Sequence, residues 1–338
     1  MPSNLRRNII ISALLGLGVI IALGLASDIR QVGQSFSTFQ VAVLPAVIGF
    51  TLANYVLRWL KWDYYLRRMG MGQGVSSADS GLLFTSGMVM AVTPGKIGEV
   101  LKSYLLKRLN GTAISASAPI VLAERITDGL AMLLLMGLGL TFYPPAQPAF
   151  IALVVLTTIG IGIAQSRSLS ERMIGLVARM PLGAKIAPRL TLMYDSTRQL
   201  LGWRILLVST LISLVSWFGE CVALYYVLIG LGITGTTQLL LVATFVFSAS
   251  TLFGLVSFLP GGLGVSEASS TGLLTLLVPM AAGPATVATI IIRFCTLWFG
   301  VSLGAIALAI ISRRFRGQPE TDDTIHSDTV PPDTRIEL

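Results

Sequence analysis

Eight ionisable residues, Lys96, Glu99, Glu124, Arg125, Asp128, Glu220, Glu267 and Arg293, lie inside stretches that are otherwise apolar. A charge at the centre of a bilayer costs on the order of 3 kcal/mol, whereas a Leu or Ile returns about 0.5. Eight such groups facing lipid would cost roughly 20 kcal/mol or more. They must therefore face each other or a wet cavity. Arg125 and Asp128 are one helical turn apart and can pair, and Glu124 shares a face with Asp128. In a hydrated cavity, Glu99, Glu267 or Asp128 is a candidate to exchange protons.

Two Pro-Gly breaks give such a cavity a use. After Thr93-Pro94 a short helix can begin with Pro at its first position, where the missing N–H costs nothing. Its free backbone N–H groups and positive dipole end then point into the membrane interior. Gly95 and Gly98 keep side chains away and Lys96 adds a cation, which together make a phosphate-recognition site. Gly261, Gly262 and Gly264 offer the same device at the second break, with Glu267 shortly after. Arg58 lies in the run Arg58-Trp59-Leu60-Lys61-Trp62. An interfacial role, snorkelling within an aromatic belt, explains it, and binding of an anionic group is the functional alternative.

The elements that must position these residues are membrane spans. Of 338 residues, 54% are hydrophobic and 12% charged, with a mean hydropathy of +0.79. Soluble domains carry about twice that share of charge. The net charge of +8 does not point to nucleic acid, because most basic residues sit in loops between apolar runs, where they encode topology. Cys221 and Cys295 lie in apolar segments, which excludes a disulfide framework or a CxxC site. His326 is the single histidine and sits in a polar tail. Neither a metal site nor a cofactor is expected.

Full spans are predicted at about 8–26, 39–59, 115–140, 147–164, 205–230 and 284–311. The first resembles a signal peptide, with Arg6 and Arg7 before it, and is expected to be retained. Arg6, Arg7, Lys61, Arg67, Arg68, Lys107, Arg108, the basic residues of 165–204, and Arg313, Arg314 and Arg316 fall on one side, with Arg30 alone opposite. Both termini are then cytoplasmic. This parity makes residues 80–108 a hairpin from the inner side, too short in its first arm to span, and 238–280 a hairpin from the outer side that is re-entrant or fully spanning. The motif Pro94-Gly95-Lys96-Ile97-Gly98-Glu99 echoes Pro260-Gly261-Gly262-Leu263-Gly264, and each precedes an intramembrane arginine, Arg125 or Arg293, by some thirty residues. The expected fold is all-α, a polytopic helical membrane protein with about six full spans and two broken or re-entrant hairpins in an inverted repeat. Residues 1–315 form one membrane domain and 316–338 a disordered acidic tail. Within 165–204 two interfacial helices are predicted, the first opening on a Ser168–Glu171 capping box.

Arg58-Trp59, Thr93 to Glu99, Glu124-Arg125-Ile126-Thr127-Asp128 and Pro260 to Gly264 with Glu267 together resemble the transmembrane region of lysylphosphatidylglycerol synthases, across roughly residues 5–315. The resemblance implies a flippase-like domain that translocates aminoacylated phospholipid. Those synthases carry a soluble aminoacyl-transferase domain after the membrane region. This chain has a short acidic tail there, so synthesis of the lysyl-lipid is not expected of it. Relatives often carry arginine where Lys96 and Lys102 stand, and a point charge in place of a bidentate fork alters headgroup preference.

The leading expectation is a flippase or transporter in the cell (inner or plasma) membrane. Its partners would be membrane lipids: an anionic or aminoacylated phospholipid, or a lipid-linked sugar. Alternatives are an accessory subunit beside a partner enzyme and a secondary transporter of a small solute. No catalytic residues are assigned: Asp128-Gly129 resembles the start of a phosphatidyltransferase motif, but the later paired aspartates are absent, as is a Walker A sequence.

Overall fold

A computed structural model describes residue 18 and residues 29–93, 99–179 and 183–314. The expected first span at 8–26, the tail and the turn at 94–98, with Gly95, Lys96 and Gly98, lie outside the described residues. What is described is helical throughout, a polytopic helical membrane protein.

The helices run α1 (Ile29–Thr38), α2 (Leu44–Arg68), α3 (Ser77–Met88), α4 (Leu101–Asn110), α5 (Ile114–Gly139), α6 (Gln147–Gln165), α7 (Arg167–Ala178), α8 (Gly183–Leu200), α9 (Trp203–Gly230), α10 (Thr237–Val256), α11 (Val265–Leu277), α12 (Ala282–Arg293) and α13 (Phe299–Arg314). A single π-helical turn, Phe294–Trp298, joins α12 to α13. Among the described residues five segments are long and apolar enough to cross a membrane: Val41–Arg68, Pro144–Gln165, Trp203–Gly230, Thr237–Val256 and Ala282–Arg314. α5 matches them in length but carries Glu124, Arg125 and Asp128.

Local sequence sets the ends. Pro45 opens α2, the Ser76 hydroxyl accepts the Asp79 N–H (3.1 Å) to start α3, and Thr236 does the same for Leu239 (3.0 Å) at α10. These satisfy backbone donors that a helix start leaves free. α4 stops where Gly111 turns left-handed (φ 80°). α2 extends nine residues beyond the expected span end at 59, because no breaker intervenes before Gly70.

Two hairpins occupy the middle. The first runs through α3 and a short 3₁₀ turn (Val89–Val92) and returns in α4. The second descends α10, turns at Pro260–Gly262 and returns in α11. α10 could span unaided, but α11 has 13 residues, about 20 Å, which is too short. The second hairpin is thus a full-length arm followed by a half-length one.

The hairpins enter from opposite ends. At one end Asn110 donates to the carbonyls of Met71 (2.9 Å) and Gln73 (3.2 Å), and Arg314 pairs with Asp79. That end gathers Arg67, Arg68, Lys107, Arg108, Arg204, Arg313 and Arg314, as the charge pattern predicts. At the other end the Gln40 N–H donates to Gly230 (2.9 Å), and Gly283 sits against Gln31. The packing is reciprocal: α2 lies on α9, α5 on the first arm of the second hairpin, and α13 on the first arm of the first. This is the arrangement an inverted repeat requires. A Cβ at Gly304 of α13 would come within 2.4 Å of the Val89 backbone nitrogen, so the α13–α3 contact depends on that glycine.

Two apolar clusters hold the ends of the bundle. One contains Val47, Met132, Met136, Leu224 and Phe245, the other Trp62, Tyr65, Leu83, Ile120 and Leu308. The polar residues fall between them. On α5, Glu124, Arg125 and Asp128 separate Ala123 from Met132; on α2, residues from Thr51 to Lys61 separate Val47 from Trp62.

In the 165–204 region the two expected helices form; the first is largely exposed along its described residues, and the end of the second packs into the bundle. Ser196 of α8 and the following Leu200 and Leu201 are buried, and α8 packs on α5. The Ser168–Glu171 capping box does not form. Ser168 already lies inside the helix, which begins at Arg167, and Glu171 pairs with Arg167 at 2.6 Å across one turn.

Candidate functional site

The charged residues on α5 are paired rather than exposed. Lys61 of α2 is fully buried and its Nζ donates to Asp128 Oδ1 (2.6 Å), Ser213 Oγ (2.7 Å) and Thr127 Oγ1 (3.3 Å). This corrects the placing of Lys61 among the loop cations: the helix continues past it, and its charge belongs to the interior. Lys102 Nζ reaches Glu124 Oε2 at 2.5 Å and lies 4.5 Å from the Trp62 ring centre. Arg125 Nη2 reaches Glu99 Oε2 at 2.9 Å and Asp128 Oδ2 at 3.7 Å. The expected Arg125–Asp128 pair exists, but as the longest contact in a network whose shorter bonds come from Lys61 and Glu99.

The second break carries a matching pair. Arg293 Nε donates to Glu267 Oε1 (2.5 Å) and Nη2 to the Gly261 carbonyl (2.7 Å). Glu267 also accepts the Gly264 N–H at 2.6 Å, capping α11 with its own side chain. Gly261, Gly262 and Gly264 all have positive φ (62°, 68° and 87°), which an L side chain rarely adopts. The glycines therefore make the turn, while the Gly264 donor is already taken by Glu267. Glu99–Arg125 and Glu267–Arg293 each span 26 residues of sequence: in both repeats a hairpin glutamate is clamped by the arginine of the next long helix.

The 3₁₀ turn of the first hairpin meets the glycine turn of the second. A Cβ at Gly261 would lie 3.6 Å from Val92 and 3.7 Å from the Ala91 carbonyl. Beside this contact lies an open cavity walled by both hairpins, α2, α9, α12 and α13. Arg58, Glu99, Gly261, Gly262 and Arg293 line it, whereas Glu124, Arg125, Asp128, Gly264 and Glu267 stand behind the wall. Asn54, Trp217, Ser250 and Thr251 are lining residues that sequence reasoning did not place in the site, and Glu220, one of the eight intramembrane charges, lines it as well, as does Lys102. A lone acid in the apolar run of α9 was the available signal for Glu220.

Arg58 is not an interfacial anchor. Its guanidinium carbon lies 5.3 Å from the Trp217 ring centre and 5.9 Å from that of Phe84, in the cavity wall. Among the described residues it has no carboxylate within salt-bridge distance, and its Nε is buried without a partner. The tryptophans that suggested a belt belong to the interior: Trp62 is fully buried. At the mouth, Phe258 is 73% exposed and Leu259 44%, and Phe258 holds a left-handed φ of 54°, a strained conformation for a bulky residue. The site is thus polar within and apolar at its rim.

A family model described as the lysylphosphatidylglycerol synthase TM region matches residues 9–304. The chain belongs to that family. Similar members include a UPF0104 membrane protein of Methanothermobacter thermautotrophicus, 28% identical over 316 residues, which cover 88% of this chain and 90% of that one. Another, from Methanocaldococcus jannaschii, is 24% identical over 239 residues, 69% of this chain and 98% of its own. The family match begins in the expected first span and takes in both hairpins and both glutamate–arginine clamps.

Proposed function

We propose that this family member carries a lipid or lipid-linked molecule with an anionic headgroup across the cell membrane, with both termini cytoplasmic, and has no catalytic role of its own. The observation that carries the reading is Arg58, a cation without a carboxylate partner among the described residues, in a cavity bordered by two hairpins of opposite sense. An unpaired guanidinium in this wall gains most from an anion held bidentately.

The apolar rim favours an amphiphile over a small solute: a headgroup can sit among Arg58, Asn54 and Thr251 while its chains leave past Leu255, Phe258 and Leu259. Rocking of one repeat against the other would expose the cavity to alternate sides.

The reading is tested with the purified chain in vesicles of phosphatidylethanolamine and phosphatidylglycerol carrying fluorescent phosphatidylglycerol or a fluorescent lipid-linked sugar. Dithionite quenching of the inner-leaflet probe should become faster than in empty vesicles, and Arg58→Ala should return it to the empty-vesicle rate. Quenching no faster than in empty vesicles for every probe would refute the carrier; a rate unchanged in Arg58→Ala would remove Arg58 from its site.

A further inference from the structure

The ionic network leaves one acid out. Glu99 has Arg125, Glu124 has Lys102, Asp128 has Lys61 and Glu267 has Arg293. Glu220, in the middle of α9, is 1% exposed and lines the central cavity. Among the described residues it has no ion pair; its hydrogen bond is the Thr51 hydroxyl, which donates to Oε2 at 3.2 Å. Arg58 lines the same cavity and likewise stands unpaired. A buried carboxylate without a cation is expensive, and it is neutralised either by binding a proton or by gaining a cation.

The surroundings limit what that cation can be. From α2, Thr51, Tyr55 and Arg58 bear on Glu220; from its own helix, Cys221; and from the π-turn, Cys295. α10 contributes Thr244, which meets Cys221, and has no titratable side chain. The titratable groups of α5 lie at the level of Ser213, where Asp128 is bonded, two helical turns away. On α12 the charged group is Arg293, committed to Glu267 and Gly261. Among the described residues, then, Arg58 is the charged neighbour free to serve Glu220.

We infer that Glu220 is a proton-exchange site that competes with the anionic headgroup for Arg58, which couples lipid movement to protons. The inference rests on the carrier reading above. With Glu220 protonated, Arg58 is available to the headgroup; when Glu220 releases its proton its carboxylate draws Arg58 away and the headgroup is released. Proton and anion are bound together and leave together, so the lipid moves with protons, from the acidic to the alkaline side. Glu99, Glu267 and Asp128, by contrast, are each held by a cation.

Two measurements separate the inference from the carrier reading. The first is infrared difference spectroscopy of the protein in lipid nanodiscs during a pH titration. Over the band that the other carboxyls give in every variant, a distinct protonated-carboxyl C=O component should appear as the pH falls, be absent in Glu220→Gln and shift in frequency in Glu220→Asp, which keeps a titrating acid if the Gln variant fails to fold. No such component in the wild type, or one that survives Glu220→Gln, overturns the inference whether or not lipid moves. The second is the distribution of fluorescent phosphatidylglycerol in the vesicles above under an imposed pH gradient. At one proton per lipid, the probe should accumulate in the alkaline-facing leaflet by up to about tenfold per pH unit, and the ratio with and without the gradient should fall to one in Glu220→Gln. Wild-type movement that ignores the gradient overturns proton coupling and leaves the carrier reading standing. Vesicles in which no lipid moves overturn both.

Discussion

The two hairpins solve one problem with different amounts of charge. In each, a glutamate following a Pro-Gly break is clamped by an arginine 26 residues later. In the second hairpin the clamp is self-contained: Arg293 uses two nitrogens, one on Glu267 and one on the Gly261 carbonyl, and Glu267 caps its own helix. In the first hairpin Arg125 Nη2 alone approaches both Glu99 and Asp128, and two lysines from other elements neutralise Glu124 and Asp128. The second turn is therefore fixed by directional backbone bonds, whereas the described residues around Glu99 form a shared pool of charge. A pool can exchange partners, whereas a fork on a carbonyl cannot, so the first hairpin is the better placed to rearrange in a transport cycle.

The largest expected effect comes from breaking the pool. Lys61→Met strands Asp128 in the interior and should cost about 3–5 kcal/mol in unfolding free energy. The double variant Lys61→Met/Asp128→Leu should recover most of that loss, since a buried pair is close to break-even against apolar packing. Thermal unfolding in detergent reads both. A double variant as unstable as the single one would mean that Lys61 supports more than Asp128.

Next in size is a test of the asymmetry itself. Lysine supplies a point charge and no fork, so Arg293→Lys should lose one charged hydrogen bond, about 1.5–3 kcal/mol. Arg125→Lys should lose less than half as much, because one nitrogen already serves both partners. Equal losses would erase the distinction between the two clamps.

A packing control separates charge from shape. Gly304→Ala pushes a methyl group against the Val89 backbone nitrogen and the Thr85 carbonyl, and overpacking of this kind costs about 1–3 kcal/mol. Gly129→Ala, on the charged helix but with open space around it, should be neutral or slightly stabilising. The smallest effect belongs to the exposed pair at the basic end. Arg314→Ala removes its contact with Asp79 and should change stability by at most about 1 kcal/mol.

Much of this architecture can be read from residue order. Long apolar runs gave the spans at 115–140, 147–164 and 205–230 to within two residues of α5, α6 and α9, because burying a backbone in lipid leaves helix as the available solution. Charge parity gave the opposed hairpins and the repeat. What stayed hidden was partner choice. Arg125 and Asp128 are visible as neighbours one turn apart, but Lys61 and Lys102 come from 67 and 22 residues away, and no local rule selects them. The interfacial reading of Arg58 and the loop placing of Lys61 fail for a related reason. A tryptophan beside a cation looks the same in sequence whether it marks a membrane surface or an interior polar layer, and hydropathy cannot report that α2 continues past both.

The account stands on two broken hairpins reaching a shared watery chamber from opposite faces of the bilayer, and cysteine accessibility tests it directly. In a background with Cys221 and Cys295 replaced by Ala, single cysteines at Ala78, Gln238 and Thr251 would be challenged in sealed vesicles with a membrane-impermeant thiol reagent and then with a small polar permeant one. Ala78→Cys and Gln238→Cys should react with the impermeant reagent from opposite faces, and Thr251→Cys with the small polar one. Labelling of the first two from the same face, or a Thr251→Cys that no aqueous reagent reaches, would contradict it.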